Sequence, residues 1–301
     1  MNLNLQRRVS GVYKFYKQSV ALAEQALIIP RRSEMERLRA QDRYPRVDRL
    51  ARWGYKIYSQ HDEDGMIAEI FRRIGCESHY FIEFGVGAGL ENNTLALLIQ
   101  DWRGIWIEGN QEFYQKIRAG MPQTIGSGQL SLKQSFITRE NIDHLISDEH
   151  PPAEIDLLSI DIDGNDFHVW DQIHCVRPRV VVIEYNPKFP PPLDYCMQYD
   201  ASHCWDLTDH YGASLSFLER QFRIRGYSLV GCDVTGTNAF FVRTELAQKT
   251  FNCPFTAEFH YESARFDLVG VPSGHAPSYR TVEARVRSAR STSGALERSK
   301  T

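Results

Sequence analysis

No stretch of this chain of 301 residues approaches the ~18 consecutive apolar residues that a membrane-spanning helix requires. Its first ten residues, Met1 to Ser10, lack the apolar centre of a signal peptide and a small-residue cleavage site, so the expectation is a cytoplasmic protein. Paired cysteines are missing as well. The six cysteines stand at positions 76, 175, 196, 204, 232 and 253 with no C-x-x-C pair, which reads as reduced thiols and argues against a zinc knuckle or a disulfide framework. Nor is there an overall positive charge. The net charge is −3, with +6 on residues 1–50 and +4 on residues 272–301, which leaves −13 on the segment between. An acidic centre does not favour nucleic acid as a partner, and the basic ends read as solvated helix faces and a loose tail.

What is present is apolar material enough for a core, at 42% hydrophobic and 12% aromatic residues, in a length that admits one large α/β domain with additions. Over residues 11–28, Val12, Phe15, Tyr16, Val20, Leu22 and Leu27 recur at helical spacing, and Pro30 is expected to close that helix. Residues 33–50 are charged and read as a second helix. Together they make a helical extension over residues 1–54, a surface for homo-oligomer formation. Asp62-Glu-Asp-Gly reads as an acid-capped helix start, with Ile67, Ile70, Phe71 and Ile74 on one stripe and Gly75 as its stop.

From residue 80 strands and helices alternate. Strand signals lie near 80–84, 104–108, 129–136, 155–161, 179–185, 227–233 and 237–243, with helical patterns near 90–100, 110–119, 138–147, 165–174 and 213–225. That alternation predicts a doubly wound, mostly parallel sheet covered on both faces. The link between the last two strands is too short for a crossover helix, so they must form an antiparallel hairpin. The expected architecture is an α/β fold with seven strands over residues 55–250. Residues 187–212 interrupt the pattern with a proline-rich run after a strand's carboxyl end and read as a substrate lid. Residues 251–271 form a C-terminal extension, and residues 272–301, rich in Ser, Arg, Ala and Gly, are expected to be disordered.

The most informative stretch is Tyr80-Phe-Ile-Glu83-Phe-Gly85-Val-Gly87-Ala-Gly89, a short apolar run ending in a carboxylate and then alternating glycines. A strand running into such a loop leaves backbone bare for a ligand to lie against. Its spacing is E-x-G-x-G-x-G, and Leu90 stands where the third glycine of a dinucleotide fingerprint would fall. The spacing resembles the first motif of class I S-adenosylmethionine-dependent methyltransferases. Glu108, which ends the second strand signal, stands where one carboxylate would hold a ribose hydroxyl pair.

The fourth and fifth strand signals end in Asp161-Ile-Asp163-Gly-Asn-Asp166 and Glu184-Tyr-Asn186. With strand order 3-2-1-4-5 these ends are neighbours, so Asp161, Glu184 and Asn186 would converge beside the glycine loop. Hard oxygen ligands of this kind suit Mg²⁺, Ca²⁺ or Mn²⁺, and a metal there would acidify and fix a hydroxyl for attack on a methyl group. Asp163 and Asp166 equally fit a turn that caps the next helix.

At this point six pieces stand in order: Ser59-Gln60 with Asp62-Glu-Asp64, the glycine run, Asn92-Asn-Thr94, Trp102-Arg-Gly-Ile-Trp-Ile-Glu108, Asp156-Leu-Leu-Ser-Ile-Asp161 and Asn238-Ala-Phe-Phe-Val. Over residues 55–245 they resemble the FkbM-type methyltransferases, which mostly methylate hydroxyls on natural products or sugars. The resemblance implies S-adenosylmethionine contacts at Gln60, Glu83, Gly85, Gly87, Asn93, Thr94, Glu108 and Asp161, and a small-molecule acceptor. The chain departs from that pattern where Asp161-Ile-Asp163-Gly-Asn replaces the usual D-x-E-G-A. A catalytic role falls on Asp161. For proton transfer Lys188, His203 and His210 are candidates in or beside the lid, with His168 behind them. Two other readings remain: a nicotinamide-dependent oxidoreductase, which needs a parallel sheet without the hairpin, and a non-catalytic binding protein that kept the fold.

Overall fold

The computed structural model describes residues 26–27, 29–44, 46–268 and 275–286. In chain order its helices are α1 (29–39), α2 (Glu63–Ile74), α3 (Leu95–Ile99), α4 (Gln111–Gly120), α5 (Pro122–Gly126), α6 (Ile142–Ser147), α7 (Asp166–Asp171), α8 (Leu215–Ile224), α9 (Thr244–Thr250), α10 (Ala257–His260) and α11 (279–286). The strands are β1 (Tyr80–Phe84), β2 (Arg103–Glu108), β3 (Leu130–Gln134), β4 (Glu154–Ile160), β5 (Arg177–Glu184), β6 (Tyr227–Cys232) and β7 (Asn238–Arg243).

The strands form one sheet in the order β3-β2-β1-β4-β5-β7-β6. The pairs from β3 through β5 are parallel, and β7 runs antiparallel to both β5 and β6. This is the seven-stranded class I methyltransferase fold, terminal hairpin included. It differs from the all-parallel sheet that the oxidoreductase reading needs.

Apolar residues in unbroken runs make these strands, because both faces are covered. Alternation along each strand then divides the core in two. Ile82, Phe84, Ile107, Ile160, Val181 and Ile183 enter one buried cluster, and Phe81, Trp106, Leu157, Val180, Val182 and Phe240 enter the other. The chain leaves β1 toward β2 on one side, and β4 lies on the other. The carboxyl ends of β1 and β4 therefore flank the crevice where ligands bind in open α/β sheets.

Three sequence expectations change here. Pro30 lies inside helical residues 29–39 rather than ending a helix. Met35 and Leu38 of α1 are buried against Tyr44, Ala51, Val234 and Leu268, and that packing holds the chain helical beyond the proline. The earlier part of the expected first helix lies outside the described residues. The helix expected over 90–100 forms only at Leu95–Ile99, because residues 93 and 94 turn their backbone amides inward to Glu83. Within the tail expected to be disordered, residues 279–286 form α11. Val282 and Val286 are buried and Tyr279 packs beside them, an i, i+3, i+7 stripe that gives this segment a core-facing side.

Candidate functional site

The glycine loop is shaped by close approach. Gly85 has φ +71°, and a Cβ on it would fall 1.7 Å from the carbonyl oxygen of Asp161, so only glycine lets the ends of β1 and β4 meet. Gly87, at φ +55°, differs: a Cβ there would meet nothing within 4 Å, and its backbone faces open space. The Gly87 amide donates to Glu108 Oε2 at 2.8 Å, and the Asn110 amide donates to Oε1 at 2.7 Å. Burial raises the Glu108 carboxyl above its ordinary pKa, and those amides pull it back. These groups line a cavity of about 540 Å³ together with Gln60, Asp161, Asp163 and His203.

Glu83, Asn93 and Thr94 do not line that cavity. They are buried behind it. Glu83 pairs in register with Trp106 on one side and Ser159 on the other. Its carboxylate accepts from the Asn93 amide at 2.8 Å and from the Thr94 amide at 3.1 Å and hydroxyl at 2.5 Å. Trp106 Nε1 donates to Thr94 Oγ1 at 2.7 Å, and Asn93 Nδ2 donates to Ser159 Oγ at 3.1 Å. Burial pushes the Glu83 carboxyl up to about 7, and these hydrogen bonds oppose the rise. The resemblance implies cofactor contacts at the three residues. The structure instead makes them the support that fixes the loop across three strands.

Opposite the loop, Asp161, Asp163 and Glu184 each bring a carboxylate oxygen within 4.8 Å of the others. Burial raises Asp161 and Glu184 well above the ordinary carboxylate range, and neighbouring carboxylates add to it. Glu184 Oε2 is buried with no hydrogen-bond partner. Asp163 stands more exposed, in the left-handed region at φ +56°. Asp166 is the turn cap the sequence allows: it accepts from the Ile162 and Gly164 amides, each at 2.9 Å. Three hard oxygen donors this close together suit a divalent cation.

Asn186, the third expected metal ligand, is committed elsewhere. Its amide donates to the carbonyls of Asp209 at 2.8 Å and Tyr211 at 2.9 Å, and its oxygen accepts from the Lys188 amide at 3.1 Å. It ties down the connection between β5 and α8, and Asp163 takes its place in the carboxylate group. The run Asp161-Ile-Asp163 held that signal, but a turn explained Asp163 equally well.

A second cavity of about 600 Å³ shares Gln60, Asp161 and Asp163 with the first and extends under the connection expected to be a lid. Lys188, Trp205, Tyr211 and Phe266 line it, with Glu184 and His61. His61, missed in the sequence, is buried with no partner at Nδ1; its place between Gln60 and Asp62 was the available signal. His203 lines the first cavity, with Nε2 at 3.1 Å from the carbonyl oxygen of Asp163. A carbonyl only accepts, so Nε2 carries the proton and Nδ1 is left as a proton acceptor. His210 lines neither cavity; its Nδ1 lies 3.2 Å from the exposed hydroxyl of Tyr195. His168 bonds the Met197 carbonyl at 2.8 Å through Nε2.

No protein-family model and no curated protein matches the chain. Solved structures do resemble it. A candidate caffeoyl-CoA O-methyltransferase from Staphylococcus aureus aligns at TM-score 0.42 and 13% identity, over 77% of this chain and 99% of its own. A candidate O-methyltransferase from Klebsiella pneumoniae aligns at TM-score 0.39 and 14% identity, over 58% and 76%. The magnesium protoporphyrin IX methyltransferase of Synechocystis, solved with bound S-adenosylmethionine, aligns at TM-score 0.38 and 10% identity, over 60% and 77%. The fold assignment rests on the strand order given above rather than on these scores. Among the described residues no helix is long and apolar enough to cross a membrane.

Proposed function

We propose that this chain transfers the methyl group of S-adenosylmethionine to a hydroxyl oxygen of a small-molecule acceptor. One observation carries the reading: two cavities meet at Gln60, Asp161 and Asp163, one bordered by the bare glycine loop and Glu108, the other by Lys188 and aromatic side chains. The first fits the donor, with Glu108 as the acceptor of ribose hydroxyl hydrogens and the backbone at Gly85 and Gly87 leaving room against the loop. The second fits the methyl acceptor. A donor and an acceptor held in adjoining cavities react as if within one molecule, the main saving that in-line transfer needs.

Bound there, the donor would supply a methyl group on a sulfonium sulfur, whose bond breaks as the new C–O bond forms. The chain's own residues handle the oxygen and its proton. Asp161, Asp163 and Glu184 would hold a divalent cation such as Mg²⁺, which when bound would supply a lowered pKa at the hydroxyl. Beside Asp163, where the two cavities meet, Nδ1 of His203 takes the proton, and Lys188 in the lining of the second cavity orients the acceptor. His210 has no part in this. Natural products or sugars, the FkbM-type acceptors, are the finer form of the reading. Calorimetry with S-adenosylmethionine and S-adenosylhomocysteine tests it, and absence of binding by both would sink it. Methyl transfer indifferent to excess EDTA and to Asp161→Asn would remove the cation.

A further inference from the structure

The glycine loop is gripped from a distant part of the chain. Tyr279, at the start of α11, donates its hydroxyl to the carbonyl oxygen of Ala88 at 2.5 Å, between Gly87 and Gly89. Its ring lies flat on the end of α4: a Cβ on Gly120 would fall 2.3 Å from Tyr279 Cγ. One turn on, Val282 is buried in the core cluster that contains Trp106 and Ile117. Those two residues also lie beneath Gly89, whose Cβ would meet Trp106 at 2.8 Å and Ile117 at 3.1 Å. Glu283 completes the attachment, since its carboxylate accepts from the amides of Gln123 at 3.1 Å and Thr124 at 3.0 Å and from the Thr124 hydroxyl at 2.6 Å. It thereby caps the N-terminus of α5.

The loop is therefore held at successive residues by separate parts of the fold. Glu108 binds the Gly87 amide, Tyr279 the Ala88 carbonyl, and Trp106 with Ile117 support Gly89. The Ala88 carbonyl belongs to the peptide group that joins Ala88 to Gly89, so Tyr279 fixes the plane of the unit that follows directly after Gly87. The Tyr279 hydroxyl is a long-range tie, 191 residues from its partner in sequence. Loss of that one hydroxyl is expected to leave β1, α4 and the cavity walls in place.

We propose that α11 is a strap that positions the methyl-donor loop, with Tyr279 as the positioning residue and Glu283 as its anchor. The inference rests on the methyl-donor reading of the first cavity. Coupling between two sites is reciprocal, so donor binding must also steady the strap. A strap docked by a short helix and a few hydrogen bonds sits at the low-stability end of the fold, where ligand binding can shift its opening.

The test uses the full chain and S-adenosylhomocysteine as probe. Three proteins are compared: the unmodified chain, Tyr279→Phe, which keeps the ring and loses the hydroxyl, and Gly120→Ala, which pushes the ring from its bed. Each is titrated by calorimetry, melted, and followed by hydrogen exchange over residues 275–286 with and without the probe. The expected result is a rise in Kd of roughly fivefold for Tyr279→Phe, the size of one neutral hydrogen bond. Gly120→Ala weakens binding at least as much, although alanine is the better helix former. The melting temperature of Tyr279→Phe stays near that of the unmodified chain, and the probe slows exchange in residues 275–286. Unchanged affinity in both variants with no slowing of exchange would overturn the strap while the donor site stood. No binding by the unmodified chain would overturn the donor reading and the strap with it.

Discussion

The carbonyl oxygen of Asp161 occupies the place where a side chain on residue 85 would begin, 1.7 Å from a Cβ built on Gly85. That contact joins the ends of β1 and β4, the two strands on either side of the crevice, and puts the carboxylate group opposite the glycine loop. Gly85→Ala must therefore part the strand ends and also accept φ +71°. We expect a loss of about 2–4 kcal/mol of stability from overpacking and backbone strain, with donor affinity lowered more than tenfold. Urea unfolding and calorimetry read the two effects separately. An alanine variant of ordinary stability and affinity would contradict the contact.

Asp161 and Glu184 stand with Asp163 in one carboxylate group, and their mutual repulsion costs stability. Glu184→Gln removes a like charge, so the expected outcome is a protein about 1 kcal/mol more stable without added metal. Millimolar Mg²⁺ is expected to raise the melting temperature of the unmodified chain, and the same change is expected to cancel that rise. Paired melting curves with and without MgCl₂ check this. A variant that still responds to Mg²⁺ would show that Glu184 is not a ligand.

Asn186 is the contrasting case. It is fully buried and bonds three backbone groups. Asn186→Ala leaves the carbonyls of Asp209 and Tyr211 without their donor, and a loss of about 2–3 kcal/mol is expected. The shift with Mg²⁺ should survive in whatever fraction stays folded. Loss of the Mg²⁺ response with stability intact would restore Asn186 to the ligand set.

His260 sets a pH dependence away from the site. It is buried beside Arg49 and Arg43, with Asp48 and Cys253 near and the Pro254 carbonyl accepting from it. Burial, with the two arginines, lowers its pKa from 6.5 to about 3. Folded, it stays neutral where the unfolded chain takes up a proton. Its contribution is therefore complete above pH 6.5 and is lost as pH falls toward 3. His260→Gln is expected to lessen the fall in urea midpoint between pH 7 and pH 4, and equal slopes for both proteins would contradict the assignment.

The sheet was legible because its strands are continuous apolar runs and the short link from Cys232 to Asn238 allows only a hairpin. The glycine loop and Glu108 were legible for a related reason: backbone exposure needs glycine, and a carboxylate at a strand end is conspicuous. Supporting roles were not legible. Glu83, Asn93 and Thr94 bear the same side chains whether they touch a ligand or one another, and only the register with Trp106 and Ser159 shows which. Asn186 misled because an amide after a strand looks like a ligand until its donors are counted. The strap was hidden because Tyr279, Val282 and Glu283 lie in a segment whose average composition reads as loose, and three residues at helical spacing outweigh that average.

The central claim is that the cavity beside Gly85 and Gly87 holds the methyl donor. Calorimetric titration of the full chain with S-adenosylhomocysteine, repeated on Glu108→Ala, tests it most directly. The account predicts saturable one-to-one binding by the unmodified chain, weakened at least tenfold in the variant. Absence of binding, or equal affinity in both proteins, would contradict it.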